Sequence, residues 1–141
     1  MPAKEKISKA LKSAAAHVTE SMQAIEEEEE NLIDKGVWHA SADLEYALFL
    51  FSVVTDDQVD KSGWNPNPRF KKGEINPPLI KVRDLIGKAK MSLMDEKILD
   101  AYKNASVARS YLLKLQKYFT KKKRKALKNK KKKHRIDFAS L

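Results

Sequence analysis

One stretch of this chain limits what it can fold into. Ile98, Ala101, Ala105, Ala108, Leu112, Leu115 and Phe119 follow steps of 3, 4, 3, 4, 3 and 4. No proline or glycine then intervenes before Lys121-Lys122-Lys123-Arg124-Lys125. A seam with that spacing is one face of a helix that needs partner helices at a shallow crossing angle. Small residues in its first half let a neighbour approach closely, and Leu112, Leu115 and Phe119 thicken the core near its end. A lysine block of that density cannot enter a core. The chain must therefore build a helical body and leave a cationic end outside it.

The charge is divided the same way. Residues 1–116 hold 17 Lys+Arg against 18 Asp+Glu, a net of −1, and residues 117–141 hold 12 against one, a net of +11. Such a block repels itself, does not fold alone, and marks a chain with a polyanion to neutralise. Like charges at i,i+4 discourage a helix there, and phosphates restore it. The competing reading is a solvated, solubilising tail.

The rest of the chain reads as helix too. The length of 141 residues suits one domain, and 42% apolar content supports a modest core. Ile7, Leu11, Ala14, Val18, Met22 and Ile25 form one stripe of a helix predicted over 4–34, with the exposed glutamates Glu26 to Glu30 inside it and Gly36 as its stop. The glutamate run is a solvated face or a docking surface for a neighbour's lysines. A second helix is predicted over 41–54, capped by Ser41. Its Tyr46-to-Phe51 stretch is apolar all round, as in a helix buried on several sides or one whose second face meets another subunit, and a strand is the alternative for so short an apolar run. Residues 55–78 carry Gly63, Asn65-Pro66, Asn67-Pro68, Gly73 and Asn76-Pro77-Pro78, which is loop chemistry, with a small hairpin possible over Phe70–Ile75. A third helix begins after Asn76 as cap, with the stripe Leu79, Val82, Leu85/Ile86 and Ala89. Ser92 and Asp95 mark the start of the fourth. The expectation is an all-α fold: a four-helix bundle-like body over 1–120, a central loop over 55–78, and a basic arm over 121–141.

Several chemistries are excluded. Without cysteine there are no disulfides, thiolate zinc sites, thiol nucleophiles or Fe–S clusters. No histidine has a glutamate three residues before it, as a di-iron bundle needs. There is no His-Glu-x-x-His, no glycine-rich phosphate loop and no serine elbow. His17 and His39 read as structural, and His134 as one more phosphate contact. No enzyme and no cofactor is expected. The longest apolar run, Tyr46 to Val54, is too short for a membrane span of about 20 residues. Met1 to Ser13 has no continuous apolar core of a secretory signal.

Nucleic-acid binding is the chemistry with positive support. The expected contacts are Lys117, Lys121, Lys122, Lys123, Arg124, Lys125, Lys128, Lys130, Lys131, Lys132, Lys133 and Arg135. Lysines act as point charges on phosphates and carry no base information. Neutralising about eight phosphates gives a log K against log salt slope near −7 on duplex DNA, and one arm alone binds weakly, on the order of 10⁻⁴–10⁻⁶ M. Useful affinity then comes from many copies side by side. Arg69, Lys71 and Lys72, interleaved with Trp64 and Phe70, form a second candidate patch that would stack and pair with a single strand. The competing reading, that Trp64 and Phe70 pin the loop to the body or to a neighbouring subunit, is the favoured one.

A neutral helical body, a basic arm from Lys117 to Arg135 and apolar faces left for neighbours resemble the coat proteins of filamentous archaeal viruses. The resemblance implies nonspecific phosphate contacts, A-form-like duplex DNA, paired or polymeric subunits and a virion location. Clustering of the basic residues at the C-terminal end departs from a distribution along the helices. The function expected is a structural, sequence-independent nucleic-acid-binding protein that acts as a multimer and wraps duplex DNA in a helical filament. RNA is the second ligand. The alternatives are a cytoplasmic, ribosome-associated rRNA-binding protein and a non-enzymatic helical partner-binding protein. The HEPN helical ribonucleases share the four-helix layout, but no arginine here precedes a histidine at their spacing.

Overall fold

Two places where the chain reverses set the architecture, and both close on a left-handed glutamate. The computed structural model describes residues 2–55, 68–71 and 73–139, with side chains described for 3–55, 68–71 and 73–129. Within them the helices are α1 (Pro2–Glu26), α2 (Glu30–Thr55), α3 (Asn76–Met94) and α4 (Ile98–Ala139), with no strand. The expected all-α, four-helix body is thus present.

The helix predicted over 4–34 is split. Glu28 adopts φ 56. Its N–H donates to Ile25 O at 3.2 Å, and the Glu29 N–H donates to Ala24 O at 2.9 Å. That pair of bonds is a Schellman C-cap, which satisfies the last carbonyls of α1. A glutamate there bears a conformational cost of about 1 kcal/mol that glycine would not. The gain is tertiary: the reversal lays the apolar face of α2 on that of α1. The second reversal repeats the device. Glu96 adopts φ 63, its N–H donates to Leu93 O at 3.2 Å, and Lys97 N–H donates to Ser92 O at 2.8 Å. Ser92 therefore closes α3 rather than opening a new helix, and α4 starts at Ile98. At the start of α3 the cap position is Ile75, without a side-chain cap, and Asn76 is already helical.

The helices run up, down, down, up. Lys4 Nζ lies 3.3 Å from Glu96 Oε1, which brings the start of α1 to the end of α3. Arg109 donates to Glu45 Oε1 at 2.8 Å and Lys123 pairs with Asp34, so α2 and α4 are antiparallel. Helices α1/α2, α3/α4, α2/α4 and α1/α3 adjoin, which leaves α1/α4 and α2/α3 on the diagonals. Diagonal helices in this order are parallel, so the connection from α2 to α3 must travel the length of the bundle. The sequence between them must therefore be long enough to join opposite ends of the bundle. Residues 56–67 and Lys72, including Trp64, lie outside the described residues. Of the hairpin considered for Phe70–Ile75, the described part holds a turn at Gly73, where Glu74 N–H donates to Lys71 O at 3.0 Å, and no strand.

The core follows the predicted stripes. Ile7, Leu11, Ala14 and Val18 of α1, Leu79, Val82, Leu85, Ile86 and Ala89 of α3, and Ala101, Ala105, Ala108, Leu112, Leu115 and Phe119 of α4 are all buried. Helix α2 adds Ile33, Val37, Ala40, Leu44, Ala47 and Phe51, a seam with the same alternation of four and three. Each fully buried leucine contributes about 1.5–3 kcal/mol relative to exposure.

Gly36 has a different task from the one expected. It lies inside α2, not at a helix end. A Cβ there would overlap Ser21 Oγ and meet the His17 carbonyl oxygen at 2.8 Å. Beside it Ser21 Oγ donates to Ile33 O at 2.9 Å in the buried crossing of α1 and α2. Glycine is used here for close approach, not for helix termination. Gly36→Ala is expected to destabilise the fold by about 2–3 kcal/mol in urea unfolding. Adding Ser21→Ala should restore only part of it, because the backbone oxygen remains.

Candidate nucleic-acid interface

The phase of the α4 seam decides where each lysine points. At 3.6 residues per turn, Lys114, Lys117, Lys121, Arg124, Lys125 and Lys128 fall on the side opposite Leu112, Leu115 and Phe119. All six are oriented outward, and all are exposed. Lys122 and Lys123 fall on either side of the seam line, toward the body. The predicted cationic block is therefore two sets with different surroundings.

The inner set meets the turn between α1 and α2. Lys122 pairs with Glu30 and Lys123 with Asp34. Asp34 is only 5% exposed, and its Oδ1 has no donor among the described residues. Lys123 is thus the counter-charge that lets a carboxylate sit there. The Glu30 carboxylate also holds the Lys122 ammonium above its ordinary pKa, against a smaller opposing effect of burial. That contribution is complete below the ordinary lysine value and is lost only as pH rises through the raised one, so it is constant across the physiological range. The acidic run was expected to be a solvated face or a dock for a neighbour's lysines. In the structure Glu30, with Asp34 one turn on, takes lysines of its own chain.

These pairs also account for a helix where charge repulsion argues against one. Repulsion at i,i+4 costs about 0.2–0.5 kcal/mol per pair. Helix α4 is nucleated by its packed half, so the arm bears only propagation. Its cations also lie toward the negative end of the helix dipole. Backbone helix accordingly continues to Ala139. It carries Lys130, Lys131, Lys132, Lys133 and Arg135, whose side chains lie outside those described.

The outer set borders a cleft of about 620 Å³ between α4 and residues 68–74, lined in part by Phe70, Lys114, Lys117, Tyr118 and Lys121. Phe70 stacks on Tyr111 with ring centroids 5.9 Å apart and planes at 16°. Lys114 Nζ lies 4.7 Å from the Phe70 ring centroid and donates to Pro68 O at 2.9 Å. Phe70 thus pins the connection to α4, which is the anchoring role expected of it; Trp64, given the same role, lies outside the described residues. Arg69 and Lys71 are exposed beside it, and Lys72 lies outside the described residues. The structure brings Phe70 together with Lys117 and Lys121, and it separates Lys122 and Lys123 from them. Sequence reasoning missed Lys114 and Tyr111. Lys114 stands one step of three before Lys117, so extending the outward register backward would have found it.

His17 and His39 lie elsewhere, and the side chain of His134 lies outside those described. His17 stacks on His39 at 5.0 Å, with Nδ1 3.3 Å from Glu20 and Nε2 3.7 Å from Asp43. Among the described residues no group of three or more His, Asp or Glu side chains is placed to hold a metal ion. No described helix is long and apolar enough to cross a membrane. The chain matches no protein-family model, and no curated protein or solved structure is similar enough to it to suggest a relationship.

Removing the inner counter-charge should be felt by the fold. Lys123→Ala is expected to cost about 1–2 kcal/mol in urea unfolding, a buried carboxylate having lost a half-exposed partner. Lys121→Ala, one face away, should cost less than about 0.5 kcal/mol.

Proposed function

We propose that this chain is a structural, non-enzymatic protein that binds nucleic acid through phosphates without reading sequence, acts as a multimer, and coats duplex DNA as a nucleocapsid subunit. The observation that carries this reading is the outward face of α4. Lys114 to Lys128 place six cations on one side of a continuous helix. They span about 21 Å, or one charge per roughly 4 Å. Along one strand of a duplex the phosphates supply one charge per about 3.4 Å of axis. A rigid row of that density can lie along a strand without first being ordered, which lowers the entropic cost of binding. The acidic turn on the opposite side repels the same polyanion and so restricts which face it meets. Arg69 and Lys71 extend the cationic surface at the edge of the cleft.

Because the charges are sorted by face, they should be separable by salt. With duplex DNA of arbitrary sequence, the variant carrying Lys117→Gln, Lys121→Gln, Arg124→Gln and Lys128→Gln should lower the log K against log salt slope by about 3–4. The pair Lys122→Gln and Lys123→Gln should change it by less than about 1. Unchanged binding by the fourfold variant contradicts the reading. For the coat role, the pure protein mixed with such DNA should form regular filaments under the electron microscope; soluble complexes without a regular polymer contradict it.

A further inference from the structure

Helix α2 carries two faces, and the bundle uses one. Opposite its buried seam stand Trp38, Ala42, Tyr46, Phe49 and Val53, at steps of 4, 4, 3 and 4. Trp38 is 55% exposed, Tyr46 49%, Phe49 63% and Val53 59%. Between Trp38 and Val53 no charged residue lies on this line, and Lys35 stands one step before its start. Glu45 borders it and is held by Arg109 of the same chain. The four large side chains together expose on the order of 450 Å², which is within the range where a contiguous apolar patch on a single chain marks an interaction site.

We propose that this face is a self-association surface on which a second copy of the chain packs its own α2 antiparallel. The proposal deepens the multimeric part of the function proposed above by naming the contact, and rests on that reading for its biological role. The order of side-chain sizes is the argument for a second copy. Read forward the stripe is Trp, Ala, Tyr, Phe, Val; read backward it is Val, Phe, Tyr, Ala, Trp. Set against its own reverse, Trp38 meets the partner's Val53, Ala42 meets the partner's Phe49, and Tyr46 lies at the two-fold axis. Every bulky residue off the axis then faces a small one, as interdigitated helix packing requires. In a parallel pair Trp38 would face Trp38 and Ala42 would face Ala42, giving a clash and a gap on one seam. The antiparallel register also sets each Tyr46 beside the partner's Glu45, an acceptor for its hydroxyl. Two such stripes, with Lys35, His39 and Leu50 at their margins, approach the roughly 1,000 Å² that a specific interface needs.

The test is the solution mass of the full chain without nucleic acid, so its outcome is independent of DNA binding. Sedimentation equilibrium should give a dimer. Phe49→Glu should weaken it by at least about a hundredfold, since a charge would be buried without a partner, and far-UV circular dichroism should be unchanged. Met91→Glu, exposed on α3, should leave the dimer intact. The chain has no cysteine, so a single Tyr46→Cys should form an intermolecular disulfide on oxidation. Trp38→Cys should do so only when mixed with Val53→Cys. A monomer at every concentration overturns the proposal. So does a dimer that Phe49→Glu leaves unchanged.

Discussion

The antiparallel contact between α2 and α4 fixes most of what this molecule presents to its surroundings. Two seams of equal spacing, Ile33 to Phe51 and Ala101 to Phe119, are buried where these helices adjoin. A helix is rigid over a few turns, so the rotation that buries Leu112, Leu115 and Phe119 also sets the rotation of every residue that follows. The lysine block has no core of its own, yet its orientation is inherited from one. Lys122 and Lys123 are carried onto Glu30 and Asp34, and the outward row is carried away from them. The same contact turns Trp38, Tyr46 and Phe49 of α2 to the outside. One packing choice thus produces a cationic face and an apolar face on different helices.

Much of this was legible in the residues. The stripes of α1, α3 and α4 were readable because each is a single apolar face with polar surroundings, the pattern that periodicity detects best. Helix α2 was harder, because apolar residues on both faces hide the buried seam. Its true start was also obscured by Gly36, which resembles a stop in sequence and serves as a contact in space. The two Schellman turns were illegible because Glu28 and Glu96 occupy positions where glycine is the usual sign. Tertiary packing holds them there, and no local pattern announces it.

For the candidate site, composition located the charge but could not sort it. Counting lysines gives one block; only the phase of the helix divides it into a set neutralised within the chain and a set left outward. The partners of the inner set, Glu30 and Asp34, are some ninety residues away in sequence, beyond the reach of any local motif. The loop was likewise read for its composition, although its length follows from the order of the helices. Phe70 lies against Tyr111 and Lys114, so an aromatic that suggested base stacking is spent on holding the chain together.

The cationic arm is a continuation of the bundle's own helix, with two unlike faces. Amine-reactive labelling of the full chain, read residue by residue by mass spectrometry, distinguishes those faces. Lys122 and Lys123 should label more slowly than Lys117, Lys121, Lys125 and Lys128 in the free protein, and duplex DNA should protect the latter four. Equal labelling rates for all six, with or without DNA, would mean that the arm has no such division.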